Sequence, residues 1–296
     1  GQKGLAQSVT INKTDGSKVT FTAAEIKNIE FNAGAQPVDT TLIKEYTGYI
    51  TVTTQFFQNK YYGDKAQIQV LKTGEQYLCR FVDPQWGNGL FSLKMEGGNL
   101  SGSGKIKIAA PNGSVTEYPA SFQGTMRNVV FTIPGLMGGT TINWTYGQAP
   151  AALKISGDYK GTNSIKVGGT FGPYAAGDVT YKVSANADGT INITIPEEQY
   201  SGTPMGDLTL GSFTVSNIAY DEASKSFVRD YSSDGIKVHF TAKKDGNVTI
   251  DKDYEFKNAK ITLKSEDNGK LTVENDYQLG SMPFPIKANY SGEKIK

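Results

Sequence analysis

The sequence predicts an all-β protein, two consecutive antiparallel β-barrels preceded by a small N-terminal β-hairpin, and three observations carry that expectation. A closing hairpin stands twice: Arg127 to Gly147 and Gly269 to Gly292 each pass from an alternating strand through a Gly/Met turn into an Ile-x-x-x-Tyr strand, Ile142 to Tyr146 and Ile286 to Tyr290. Segments of strand length alternate in polarity and are punctuated by Asx-Gly and Gly-Gly turn signals. No convincing amphipathic helix interrupts them, which excludes a parallel sheet and leaves a sandwich or an up-and-down barrel. The barrel is favoured because each repeat opens on a Tyr-x-Gly strand (Tyr46-Thr-Gly48 and Tyr159-Lys-Gly161). Pairing that strand with the Ile-x-x-x-Tyr strand would remove both sheet edges.

In chain order, residues 1–43 read as hairpin and linker. Val9 and Ile11 alternate before an Asp15-Gly16 turn of type I′, and Val19 and Phe21 return. Thr22-Ala-Ala-Glu25 matches a capping box, with Ile26 and Ile29 at helical spacing and a short extended Glu30-Phe31. A lone two-stranded hairpin is marginal, so this unit is expected to dock on a barrel or on another chain. Residues 32–43 read as a linker. Residues 44–150 form the first barrel, with strands expected at 46–54, 65–71, 75–82, 90–96, 105–109 and 116–125 before the repeated hairpin. Gln148-Ala-Pro-Ala-Ala152 is a short junction. Residues 151–296 form the second barrel, with strands at 179–185, 190–195, 208–215, 226–230, 236–242, 247–251 and 255–264. Tyr159 to Tyr290 spans 131 positions against 100 for Tyr46 to Tyr146, and the surplus falls mainly between Glu197 and Asp253. That is enough for two additional strands or one long excursion.

Composition excludes several classes. Thirty basic against 29 acidic residues, with no run of like charge, predict no nucleic-acid partner. No apolar stretch approaches the roughly 20 residues of a membrane-spanning helix, so no transmembrane segment is expected. Cys79 stands alone in an apolar alternating run and reads as a buried thiol. The chain begins at Gly1, which suggests that a targeting segment has been removed. Abundant Gly, Thr, Ser, Asn and Tyr suggest an extracytoplasmic bacterial protein: periplasmic, secreted or a cell-surface lipoprotein. Sequons within expected strands, such as Asn143-Trp-Thr145 and Asn192-Ile-Thr194, favour a source that does not N-glycosylate.

Tyr159-Lys-Gly161, Gly206-Asp-Leu-Thr-Leu-Gly-Ser-Phe-Thr-Val215, Leu279-Gly-Ser-Met-Pro-Phe-Pro-Ile286 and Tyr290-Ser-Gly292 give residues 155–296 their character. This segment resembles the calycin-like, that is lipocalin-like, β-barrel domain of secreted proteins and lipoproteins from gut Gram-negative bacteria. The first repeat is similar at its ends. Lipocalins proper open on Gly-x-Trp where this chain has Gly157-Asp-Tyr159, so the kinship is one of architecture.

No reaction chemistry stands out, and no cofactor or metal is expected. His239 is the single histidine and reads as a solvent-facing strand residue rather than a general base. Asp251, Asp253 and Glu255 make a weak calcium candidate, and Glu197 and Glu198 the least implausible pair for a hydrolase, against a solvated loop. Aromatic residues are more informative, since at a barrel mouth they stack on sugars or close over an apolar ligand, or else plug the barrel end. The candidates are Trp86, Phe171, Tyr174, Tyr200 and Phe284. The expected function is non-enzymatic binding of a small apolar molecule or a glycan in or at the mouth of the second barrel. The alternatives are a structural or interaction module that recruits an envelope protein through the N-terminal hairpin and, third, a hydrolase using clustered carboxylates.

Overall fold

The computed structural model describes residues 8–28, 39–266 and 268–295. Strands β1 (Ser8–Asn12) and β2 (Lys18–Thr22) pair Val9 with Phe21 and Ile11 with Val19, putting the apolar residues on one face. They pair with no other strand among the described residues, and Ile11 and Phe21 are exposed. The capping box forms, with Thr22 N–H donating to Glu25 Oε2 at 2.7 Å over a single 3₁₀ turn, Ala23–Glu25. Ile29, Glu30, Phe31 and most of the expected linker lie outside the described residues. The Asp15-Gly16 turn is not type I′, because only Gly16 has positive φ. Asp15 Oδ1 instead accepts the backbone N–H and the hydroxyl of Ser17, which holds the aspartate in an ordinary conformation. Asn112-Gly-Ser114 and Asp188-Gly-Thr190 repeat this device, whereas Asp245-Gly246 has both residues at positive φ.

The first barrel comprises β3 (Thr40–Thr53), β4 (Lys60–Tyr61), β5 (Ala66–Thr73), β6 (Gln76–Asp83), β7 (Gly87–Ser92), β8 (Lys94–Glu96), β9 (Asn99–Ala109), β10 (Val115–Gly124), β11 (Asn128–Ile133) and β12 (Thr140–Tyr146). Successive antiparallel pairings run β3-β5-β6-β7-β9-β10-β11-β12 and return to β3, so the ring is closed. β3 begins at Thr40, inside the expected linker. The strand expected over 90–96 divides into β7 and β8, because the Ser92 hydroxyl, not the chain beyond it, meets the Ser103 backbone of β9. Closure depends on Gly48: a Cβ there would stand 2.2 Å from Thr145 O and 2.6 Å from the Trp144 ring. The indole thus lies across the seam and donates from Nε1 to Ala66 O at 3.0 Å. Phe81, Phe91, Phe122 and Phe131 fill the centre, with ring centroids 4.7–5.6 Å apart.

Helix α1 (Ala151–Ile155) overlaps the expected junction and packs on the second barrel, burying Ala152 and Ile155 in its core while Tyr159 donates to Ile155 O at 2.7 Å. The barrel comprises β13 (Gly157–Val167), β14 (Phe171–Ala185), β15 (Ile191–Ile195), β16 (Glu198–Thr203), β17 (Gly206–Leu210), β18 (Phe213–Asp221), β19 (Ser226–Asp230), β20 (Lys237–Lys244), β21 (Asn247–Ser265), β22 (Lys270–Leu279) and β23 (Ile286–Lys294). The ring β13-β14-β15-β18-β19-β21-β22-β23 closes through β23 on β13, where Gly161 faces Gly292. Tyr290 donates to Tyr159 O and Val179 O and stacks on Tyr181 at 3.7 Å. The surplus residues form a four-stranded flap, β16-β17-β20 and the first part of β21. This exceeds the two extra strands expected, and two expected strands, 247–251 and 255–264, are one: β21 pairs with β20 up to Glu255 and with β22 from Phe256.

Side chains mostly face inward when apolar and outward when polar in both rings, the buried Thr140, Asn163 and Asn275 being exceptions. On β11, Val129, Phe131 and Ile133 are buried while Asn128 and Thr132 are exposed; on β10, Ala120 and Phe122 are buried while Ser121 and Gln123 are exposed. Each barrel has its own apolar core. Lys294 touches both units, its Nζ 5.7 Å from the Tyr61 ring centroid and bonded to Lys154 O.

Candidate functional site

The flap covers one end of the second barrel, and a cavity of about 40 Å³ lies between them. Strand alternation builds it from both sides. Tyr200, Leu208 and Phe240 come from the flap, and Ile165, Leu279 and Ile286 from ring strands β13, β22 and β23. The lip is Met205 at the β16–β17 turn and Met282 with Phe284 in the loop after β22. That loop is tied down by Met282 N–H on Leu279 O, Gln278 Nε2 on Met282 O and Gly168 N–H on Pro285 O. Gly168 has φ +63°, and a Cβ there would sit 2.9 Å from the Phe284 ring, so this residue type is what lets Phe284 lie over the rim. Phe171 meets Phe284 edge to face at 6.3 Å, and the two are 43% and 49% exposed. Methionine and aromatic side chains at a rim are suited to apolar contact without fixed geometry.

Behind this cavity a second, polar one of about 10 Å³ lies within the barrel. Glu198 enters it from β16, 2% exposed, accepting from Asn163 Nδ2 at 3.1 Å and from Tyr181 at 2.9 Å. Asn163 Nδ2 also donates to Tyr200 at 2.9 Å, while Asn163 Oδ1 meets no donor. Burial raises the Glu198 carboxyl to about 7 against the three hydrogen bonds that favour its charge. Burial likewise drives the Tyr181 and Tyr200 hydroxyls far above their ordinary range. Nearby, Tyr231 donates to Asn275 Oδ1 at 2.6 Å.

The aromatic candidates divide. Phe171 and Phe284 form the rim, Tyr174 is half-buried beside the core, and Tyr200 is buried between the two cavities. Trp86 belongs to the first barrel, where it is 5% exposed and packs edge to face on Tyr62 at 5.1 Å, with its Nε1 unpartnered. It belongs to that barrel's core and is not brought to the others. The region of Glu197 and Glu198 is a strand edge and not a solvated loop: Glu197 is exposed and Glu198 buried, on opposite sides, so they do not flank one bond. Asn163, Met205 and Met282 escaped the sequence reading; a polar residue at an inward position of β13 was the signal for the first.

His239 is exposed on the outer side of the flap, held by Asp253 on Nδ1 at 2.6 Å and by Asp251 on Nε2 at 2.5 Å, which raise its pKa. These carboxylates are engaged with the imidazole, and no cluster suited to a metal occurs among the described residues. Burial pushes the Cys79 thiol up to about 12, leaving it a core residue.

A closed up-and-down barrel with a lidded mouth defines a calycin-type architecture. Residues 155–293 match the family model of the calycin-like beta-barrel domain. Among solved structures, a "putative outer membrane protein" from Bacteroides fragilis is similar at 19% identity with a TM-score of 0.60, over 86% of this chain and 98% of that one; the likeness is one of fold. Transferrin binding protein B from Haemophilus parasuis aligns over 88% of this chain and 78% of its own at 8% identity and a TM-score of 0.23, which carries no argument. No curated protein matches the sequence.

Proposed function

We propose that the protein is a non-enzymatic binding protein of the cell envelope, taking a small apolar molecule, or the apolar face of a sugar, at the mouth of the second barrel. The observation that carries this reading is the apolar cavity under the flap, with two exposed phenylalanines on its rim. The interior proper supports no ligand of lipocalin size, since its enclosed volume is near that of one water. The site is therefore the mouth, with the flap and the 280–285 loop as its walls. An envelope location is supported by the turn-rich, Thr- and Asn-rich composition and by what the Bacteroides neighbour is described as.

Titration of the full chain with 8-anilinonaphthalene-1-sulfonate, followed by fluorescence, tests the site. Binding that weakens about tenfold on Phe284→Ala and is abolished by Met282→Trp, which fills the cavity, is the expected result. Failure to bind, or binding indifferent to both substitutions, would remove the reading. One observation favours a second role: the apolar face of the N-terminal hairpin shows Ile11 and Phe21 to solvent. A truncated chain beginning at residue 39 that recovers the same envelope partners as the full chain would sink it.

A further inference from the structure

The polar chamber of the second barrel has a deficit of one sign. Glu198, Asn163 and Asn275 line it; Asn275 Oδ1 is taken up by Tyr231, whereas Asn163 Oδ1, on a residue 4% exposed, receives no hydrogen bond. No Lys, Arg or His lines the chamber, so the Glu198 carboxyl has no counter-cation. The titratable groups around it are Tyr181 of β14, Tyr200 of its own strand, Tyr277 of β22 and Tyr290 of β23, and all four are driven above the ordinary tyrosine range by burial. About 10 Å³ receives one group the size of a water molecule. A neutral donor of that size would satisfy Asn163 Oδ1 alone. A positively charged donor would satisfy it and also neutralise Glu198.

The chamber and the apolar cavity are back to back. Leu210 and Tyr277 wall both, and Tyr200, which lines the apolar side, accepts from Asn163 on the polar side. A molecule with a charged donor head and a short apolar tail matches this sequence of surfaces from depth to rim. We propose that the second barrel takes a small primary alkylamine, its ammonium group between Glu198 and Asn163 Oδ1 and its alkyl chain in the apolar cavity at the mouth. The assignment rests on the apolar site proposed above and names its ligand class. Entry displaces Met205 and Met282 and parts Leu210 from Tyr277; methionine side chains rearrange at low cost. A carboxylate head of the same length is rejected, because it would face the Glu198 carboxyl in a chamber that no Lys, Arg or His lines.

Calorimetric titration of the full chain with octylamine, 1-octanol and octanoate, at pH 6 and pH 8, tests this. An alkylammonium, like a lysine side chain, stays charged across that range. Glu198, raised to about 7, is mostly protonated at pH 6 and mostly ionised at pH 8. Octylamine is expected to bind at least tenfold more tightly than octanol at pH 8, with an affinity about tenfold higher at pH 8 than at pH 6, while octanol shows no pH dependence. In Glu198→Gln, checked for folding by its melting curve, amine and alcohol should bind alike. Equal binding of amine and alcohol to the natural chain, or an amine preference that survives E198Q, overturns the assignment and leaves the apolar site standing. If none of the three binds, the apolar site falls as well. Should E198Q not fold, the pH ratio on the natural chain decides.

Discussion

Glu198 shows how one side chain links packing to proton binding. It belongs to the flap, yet its hydrogen-bond donors Asn163 and Tyr181 lie on ring strands β13 and β14, so it fastens one sheet to the other. Its carboxyl titrates at about 7 in the folded chain against 4.5 in the reference state. Between those two values the folded protein holds a proton that the unfolded chain releases, so stability falls as pH rises from about 4.5 to about 7 and is flat beyond. The loss is roughly 2–3 kcal/mol for a carboxyl this deeply enclosed. Thermal melts at pH 5 and pH 8 should show the natural chain losing ground at the higher pH, and E198Q losing distinctly less. A natural chain equally stable at both would mean that Glu198 is solvated or ionised throughout.

At the scale of elements, ring closure was legible because tight approach demands particular residues. Gly161 marks a place where a Cβ would stand 2.0 Å from Ser291 O, and Gly48 does the same service beside Trp144. Gly161→Ala is expected to cost ~2 kcal/mol or more through displaced backbone, read as a lower denaturation midpoint with an unchanged transition slope. A midpoint within error of the natural chain would show that the seam yields. The flap strand β16 was not legible for the opposite reason. It reads Glu-Gln-Tyr-Ser-Gly-Thr, whose first inward residue is an acid, and sequence patterning assigns acids to solvent unless a partner is known. That partner, Asn163, is 35 positions away. The rim aromatics Phe171 and Phe284 could be read as turn residues, but their meeting depends on ring register. Trp86, in the same kind of context, was indistinguishable from them and lies buried in the core of the first barrel. The turns at Asp15-Gly16, Asn112-Gly113 and Asp188-Gly189 were found where expected, each held by the Ser or Thr that follows, whereas Asn88-Gly89 lies within β7.

For the whole molecule, two separate cores imply two cooperative units. Phe131→Ala empties the middle of the first barrel at a cost of about 3–5 kcal/mol and should lower one of two calorimetric transitions while leaving the other, with its anilinonaphthalene binding, in place. A single transition shifted as a whole would show that the Lys294 contact welds the units together. Polar exteriors and apolar centres are the inverse of a membrane-spanning barrel, which is apolar outside and polar within. The chain should therefore refold without detergent and fail to float with phosphatidylcholine vesicles. Finally, β21 runs unbroken from flap to ring and changes partner at Glu255 and Phe256. The outer attachment thus hangs on a circle of hydrogen bonds that is complete without it. Evolution or an engineer is free to exchange it for another, altering what is recognised at the opening while the scaffold beneath keeps its shape.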